Sequence, residues 1–376
     1  MSTPFLMPAR IFSQALASFQ YGSIVEMSND KNILVIRNDK LGDFMLAWPA
    51  LSLLKKQYPE SKVTVLIPSY TKPMAEICPW IDDCIIDMQH KSVLSDAIFL
   101  KNKIKNKNFD TSISLFTETR TAVATFLSRI PLRLAPATKI AQIFSNRRLP
   151  QRRSSSSRPE HEYNTDLVRF FITLQGDTPV SLQQPPFLQF DATLTQNLRA
   201  QYITEHNINI ESMLIIVHPG TGGSAINFSV KQYAELIKRI AKQIDAHFII
   251  TAGPGEDDTA QTLSSLILHT DHSVYFSSEG IVEFSHFIAI SNLFISGSTG
   301  TLHIAGALDI PTAAFYPARK SATALRWQTL NQASRRLAFS PEKYTGDNDM
   351  DTVDPVACAQ QIVDLLKRLY ATTGNV

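Results

Sequence analysis

Cysteine is scarce in this chain: Cys78, Cys84 and Cys358 are its only three, and no two stand in CxxC spacing. That excludes a disulfide framework and a cysteine-held zinc site, and it fits a reducing compartment. The patterns GxGxxG and GxxxxGK[ST] are missing, which weighs against a dinucleotide fold and a P-loop. GxSxG and HExxH are missing as well. No signal peptide is expected, because Arg10 interrupts the apolar start and no long apolar stretch follows it. The longest uncharged run, 284–308, contains Ser, Asn, His, Thr and three glycines, so it reads as a buried strand–loop–helix and not as a membrane span. Acidic residues vanish from Thr121 to Pro159, where eight positions are Arg or Lys: Arg129, Arg133, Lys139, Arg147, Arg148, Arg152, Arg153 and Arg158. A solvated surface is the plain reading of such a run, but its length favours an anionic partner. Aromatic interleaving is thin there and no nucleic-acid module is visible, so nucleic acid is not expected as a partner.

What is present describes a folded protein with a large core. Of 376 residues 44% are apolar and 19% charged, the net charge is +2, and the length suggests two domains. Residues 1–30 show a helical apolar stripe at Ile11, Phe12, Ala15, Leu16 and Phe19, suited to docking on the body or to lying on a membrane. Aliphatic runs at Asn32–Arg37, Val63–Ile67, Cys84–Ile86 and Thr111–Phe116 alternate with helical patterns and predict parallel βαβ units. A helix over 161–174 and a proline-rich linker over 176–188 follow. The pattern then repeats, with strands at 213–217, 247–251, 274–276, 293–295 and 311–315 and a last helix over 355–369. The expected division is an N-terminal helical extension over 1–30, a first Rossmann-like domain over 31–185, a second over 186–345 and a C-terminal helical segment over 346–376.

Two βαβ domains facing each other would place ligand loops at the carboxyl ends of their strands. In the second half, Met213–Val217 runs into His218-Pro-Gly-Thr-Gly-Gly-Ser-Ala225, where backbone N–H groups could close on an anion; a tight βα turn is the alternative. Glu256 in Gly253-Pro-Gly-Glu256 could accept hydrogen bonds from a ribose or lie in a solvated turn. Ser296-Gly-Ser-Thr-Gly-Thr-Leu-His303 stands just before a helix, where N–H groups with Ser298, Thr299 and Thr301 would suit a pyrophosphate. In the first half, Asp43 follows Gly42 at a helix start, as a cap or as a general base facing the nucleotide.

Arg37-Asn-Asp-Lys-Leu-Gly-Asp43 with Trp48-Pro-Ala-Leu51 resembles the N-terminal signature of the bacterial lipopolysaccharide core heptosyltransferases, ADP-heptose glycosyltransferases of family 9. His218–Ala225 resembles their donor loop, and Ser298-Thr-Gly-Thr-Leu-His-Ile-Ala305 resembles the motif D-[ST]-G-x-x-H-[LI]-A. The chain departs from the pattern at Ile226, where many relatives carry lysine, and at Ser298, where they carry aspartate. The resemblance implies an α/β protein of GT-B fold, two Rossmann-like domains across a cleft, with the C-terminal helix packing back on the first domain. It implies transfer from an ADP-sugar, with no required cofactor or metal, to a lipid-anchored anionic oligosaccharide at the cytoplasmic face of the inner membrane. Asp43 would be the catalytic base. His218, Thr221, Gly222, Gly223, Ser224, Glu256, Ser298, Thr299, Gly300, Thr301 and His303 would hold the donor, and Lys40, Arg120, Arg147 and Arg148 the acceptor phosphates. Bidentate guanidinium contacts suit phosphate, which favours arginine there.

Overall fold

The computed structural model describes residues 31–88, 93–138, 140–222, 227–343, 346 and 349–371. The expected N-terminal helix over 1–30 and the donor-loop positions Gly223, Ser224 and Ile226 lie outside the described residues.

The first half holds strands β1 (Asn32–Ile36), β2 (Lys62–Pro68), β3 (Asp83–Asp87), β4 (Thr111–Ser114), β5 (Leu132–Pro136) and β6 (Arg147–Leu149). The second holds β7 (Met213–His218), β8 (Ala246–Ala252), β9 (His272–Phe276), β10 (Leu293–Gly297), β11 (Thr312–Phe315) and β12 (Arg336–Phe339). The sheets are ordered β3-β2-β1-β4-β5-β6 and β12-β11-β10-β7-β8-β9, and every pairing is parallel. Numbered within its own half, each sheet has the same order, reversing at the strand that comes first in sequence. That reversal opens a crevice at the carboxyl ends of β1 and β4, and of β7 and β10.

Helices cover both faces of each sheet, which is why the strands are continuous aliphatic runs. Alternation divides the side chains between layers. Ile33 and Val35 of β1 and Leu214 and Ile216 of β7 enter a core shared by the two halves. Leu34 and Ile36 turn outward to Leu100 and Ile104 of α4 (Val93–Lys105), and Ile215 and Val217 to Leu236 and Ile240 of α8 (Val230–Ala241). Helices α1 (Leu41–Met45), α2 (Trp48–Gln57), α3 (Lys72–Glu76), α5 (Thr119–Leu127), α6 (Glu160–Leu174) and α7 (Ala192–Glu205) complete the first half and the crossing. Helices α9 (Asp257–Leu266), α10 (Ile281–Ala289), α11 (Gly300–Ala307) and α12 (Pro355–Tyr370) belong to the second.

The shared core joins the halves. Trp48, Phe171, Phe187, Phe284 and Leu302 are all buried within it. The linker enters the second half at Phe187 and Leu188, whose N–H groups donate to the Ala307 carbonyl at the end of α11 (2.7 and 2.9 Å).

The last helix corrects an expectation. It does not return to the first half: α12 packs on α8, burying Cys358, Ile362, Val363, Leu365 and Leu366 in the outer core of the second sheet. The reason is complementary surface, since α8 presents Tyr233, Leu236, Ile237 and Ile240 to the same layer. Arg368 donating to the Ser334 carbonyl and Tyr370 donating to the Asn292 carbonyl (both 2.9 Å) fasten its end.

Candidate active site

The loops at the carboxyl ends of the two sheets face each other across a cleft of about 1200 Å³. Its floor is a close helix contact. Gly42 in α1 lies so near α11 that a Cβ there would stand 2.6 Å from Cδ2 of His303, and one on Gly300 would stand 3.0 Å from Leu41. Glycine at these two positions therefore allows the first turns of two facing helices to meet.

Asp43 sits in the first turn of α1, but it is not the cap: Lys40 holds the N-cap position without a side-chain bond. The Asp43 carboxylate instead accepts from Nη2 of Arg37 through Oδ1 at 2.6 Å, its only hydrogen bond among the described residues. Arg37 closes β1, is 2% exposed, and is the centre of a charge cluster. Its Nη1 donates to Glu160 (3.0 Å) and Asn164 (3.1 Å), and its Nε forms an ion pair with Asp39 at 2.9 Å. Burial alone would lower the proton affinity of this guanidinium. Asp39, Asp43 and Glu160 more than offset that, and raise its proton affinity above the ordinary arginine value.

Glu160, the first residue of α6, also meets Arg153 (2.7 Å) and Arg326 (2.7 Å). Burial works against its charge, but the three arginines hold the carboxyl below its usual range. Arg326 comes from the segment after β11, and its own carbonyl accepts from the Glu160 N–H at 2.8 Å. A residue of the second half thus completes the shell behind Asp43, through Glu160 and Arg37.

Asp39 titrates differently. Its burial, opposed by Arg37 and reinforced by Asp43, lifts its pKa to about 7. An acid so raised binds its proton more tightly folded than unfolded, so its ionisation costs stability. The cost is absent below about pH 4, where the unfolded carboxyl also keeps its proton, and is complete above about pH 7. Asp39→Asn cannot ionise, so its melting temperature should gain on the native protein between roughly pH 5 and pH 8. A difference that stays constant over that range would contradict the raised value.

On the opposite wall, β7 delivers His218 into the cleft edge. Its Nδ1 pairs with Thr251 Oγ1 at 3.0 Å, and Nε2 lies 3.7 Å from Glu256. Burial lowers its proton affinity, although Glu256 pulls the other way. Glu256 closes a turn over 253–256 whose centre, Pro254 and Gly255, is exposed, but its side chain turns inward. Its carboxylate accepts from the Gly222 N–H (2.7 Å) and the Gly253 N–H (3.0 Å), so it ties the loop after β7 to the loop after β8. A Cβ on Gly220 would overlap that carboxylate. Gly222 has φ +53, the left-handed region in which a side chain is strained.

The third loop caps α11. Thr299 is its N-cap, accepting from the Leu302 N–H at 3.4 Å, and its hydroxyl also meets Ser296 (3.0 Å) and Thr301 (2.9 Å). The first N–H groups of α11 have no intrahelical acceptor, and Ser298, Thr299 and Thr301 line the cleft beside them, an arrangement suited to an anion. His303, one turn on, is pushed down to about 4 by burial with His161 nearby, so it is neutral near pH 7.

Lys40, Asp43, His218, Thr221, Gly222, Glu256, Ser298, Thr299, Gly300, Thr301 and His303 therefore line one cleft. Three expected acceptor residues do not. Arg120 is buried, and Asp87 (2.6 Å) and Glu118 (3.0 Å) already take up its guanidinium, so it is not a free cation for phosphate. Arg147 and Arg148 are exposed on β6, the outermost strand of the first sheet, and are absent from the cleft lining. The cleft also gains residues that the sequence did not single out, among them Tyr70, whose hydroxyl donates to the Asp39 carbonyl (2.7 Å), and Arg319 and Trp327. Arg37 carried a signal: a cation ending an aliphatic strand must be paired if buried. Glu160, the first carboxylate after the basic stretch, was its unread partner. Among the described residues no group of three or more His, Cys, Asp or Glu side chains could hold a metal ion, and no helix is long and apolar enough to cross a membrane.

Comparison with known proteins bears on the family and the fold. The sequence profile described as glycosyltransferase family 9 (heptosyltransferase) matches residues 98–343. A Haemophilus influenzae protein named as a candidate glycosyltransferase is 41% identical over 349 residues, spanning 92% of this chain and 100% of that one. Lipopolysaccharide heptosyltransferase 2 of Salmonella typhimurium is 21% identical over 292 residues, spanning 76% of this chain and 82% of its own. In three dimensions, the Escherichia coli ADP-heptose lipopolysaccharide heptosyltransferase II superposes with a TM-score of 0.69 at 17% identity, over 90% of this chain and 99% of that one. The two-sheet architecture is the GT-B fold.

Proposed function

The chain belongs to glycosyltransferase family 9, the heptosyltransferases, and on that premise we propose that it transfers a heptose from an ADP-sugar to a lipid-anchored anionic oligosaccharide of the lipopolysaccharide core. One observation carries the reading: Asp43 and the hydroxyl-lined start of α11 face one cleft from opposite walls, with α1 and α11 in contact beneath them. The donor diphosphate lies against Thr221, Gly222 and the first N–H groups of α11, with Ser298, Thr299 and Thr301 donating to its oxygens. The neutral imidazole of His303 adds no charge there. Asp43 accepts the proton of the acceptor hydroxyl as that oxygen attacks the anomeric carbon. The bond from that carbon to the diphosphate breaks on the opposite side, the configuration inverts, and ADP leaves with the electron pair. Arg37 holds one carboxylate oxygen of Asp43, leaving the other for the incoming proton. Lys40 at the cleft mouth is suited to an acceptor phosphate. The site of action is the cytoplasmic face of the inner membrane, where such an acceptor is anchored.

Two observations support backbone-based recognition of the diphosphate. The loop after β7 is tied down by Glu256, and the first N–H groups of α11 stand at the cleft without an intrahelical acceptor. Gly220→Ala should expel Glu256 from its two N–H partners and weaken ADP binding in calorimetric titration. Glu256→Ala should do the same, and the double variant should be no worse than the more damaging single one, because both changes release the same tie. Additive losses would show that Glu256 does not mediate the effect.

The reading as a whole is tested by thermal-shift measurements with ADP-, GDP- and UDP-sugars. A ligand at a hundredfold excess over its dissociation constant adds about 2.7 kcal/mol, a clear rise in melting temperature. Stabilisation by ADP-heptose but not by the GDP- and UDP-sugars is expected. Stabilisation only by a UDP- or GDP-sugar would replace the donor assignment, and no shift with any would overturn the reading.

A further inference from the structure

Beyond the cleft, the first half carries an apolar surface set among cations. The short turn helix Ile140–Phe144 packs on α5, where Phe144 meets Phe126 with ring centroids 5.7 Å apart. Arg133 lies over the Phe126 ring at 5.4 Å and donates to the Phe144 carbonyl at 2.9 Å, fixing the two elements together. What this layer shows to solvent is aliphatic and aromatic: Ile140 is 78% exposed, Ile143 65% and Phe126 47%. Buried Ala141 lies between the two isoleucines and anchors the turn.

The rim is basic. Arg129 at the end of α5 and Arg147 and Arg148 on β6 are exposed and form no salt bridge among the described residues. No Asp or Glu occurs anywhere from 121 to 159. An acidic partner surface with an apolar interior is therefore complementary, and a uniformly polar acidic one is not, since it would leave Ile140 and Ile143 in contact with charge.

We propose that this face docks on an anionic lipid bilayer, with Ile140, Ile143 and Phe126 entering the headgroup region and Arg129, Arg147 and Arg148 lying on lipid phosphates. The inference rests on the reading of the chain as a transferase with a lipid-anchored acceptor. It gives the arginines that the cleft does not use a partner, and it brings the first half, which carries Asp43, to the surface where that acceptor emerges. Each arginine near such a surface contributes roughly fivefold in partitioning, and each isoleucine entering the interface on the order of tenfold.

Vesicle flotation tests it, using the full chain and acceptor-free vesicles of phosphatidylglycerol with phosphatidylcholine, or of phosphatidylcholine alone. The native protein should float with the anionic vesicles only. Ile140→Ser with Ile143→Ser should lose at least tenfold in binding while keeping its melting temperature and its transfer to a delipidated, water-soluble acceptor. Arg147→Gln with Arg148→Gln should lose roughly twenty-fivefold. Native protein that fails to float, or an isoleucine variant that floats as well as native, overturns the docking face. Binding that depends on the arginines alone and is equally competed by a soluble polyanion also overturns it, in favour of an acidic polymer. Loss of docking with transfer to the soluble acceptor intact leaves the enzymatic reading standing; intact docking with no transfer from any donor sinks that reading alone.

Discussion

Asp43→Asn should lower turnover by roughly 10²–10⁴-fold, the range for loss of a general base, with ADP affinity unchanged. Asparagine keeps the shape of the side chain and can still accept from Arg37 through its carbonyl oxygen, so the charge cluster and the α1–α11 contact stay in place. What it cannot do is take up a proton. The nucleotide cradle stands on the other wall, at Thr221, Gly222 and the start of α11, and does not depend on that carboxylate. Steady-state transfer rates alongside calorimetric ADP titration separate the two effects. If Asp43 served only to pair Arg37, the variant would lose some stability and little turnover.

The second large effect concerns the residue behind it. Arg37→Met should destabilise the protein by roughly 3–5 kcal/mol, the usual cost of removing one partner from a buried ion cluster. The guanidinium is 2% exposed and touches Asp39, Asp43 and Glu160 at once, so methionine fills the volume but leaves acidic groups uncompensated in low dielectric. Denaturant unfolding measures the loss. Because Glu160 also holds Arg153 and Arg326, the damage should reach the junction between the two halves as well as the first sheet. A loss below about 1 kcal/mol, the scale of an exposed ion pair, would mean that the cluster is solvated.

These two residues also show what was legible in the sequence. The strands buried on both faces were readable because they are unbroken aliphatic runs, as in Asn32–Ile36 and Met213–His218. Strands Leu132–Pro136, Arg147–Leu149 and Arg336–Phe339 were not. Each carries arginine, and the last two are sheet edges, so in sequence the first two looked like charged surface. Helix α5 was hidden in the same stretch. The C-terminal helix was found, but its docking side was not, because an apolar stripe does not say which half presents the matching one.

The candidate site was legible where chemistry is local. Glycine and hydroxyl residues placed between a strand and a helix mark an anion loop without any long-range information, and His218, Thr299 and Thr301 came from that signal. Pairing across the fold is not local. Arg37 and Glu160 stand 123 positions apart, and nothing near either names the other. For the same reason Arg120 read as an available cation, although Asp87, 33 positions away, already holds it.

The most direct test is the mass of a lipopolysaccharide core acceptor after incubation with ADP-heptose and either native protein or Asp43→Asn. The account predicts a gain of one heptosyl unit, with ADP released in equal amount and inverted configuration at the new linkage, and almost no gain with the variant over the same time. An acceptor whose mass is unchanged while ADP-heptose is bound by the native protein would contradict it, as would equal gains from native and variant.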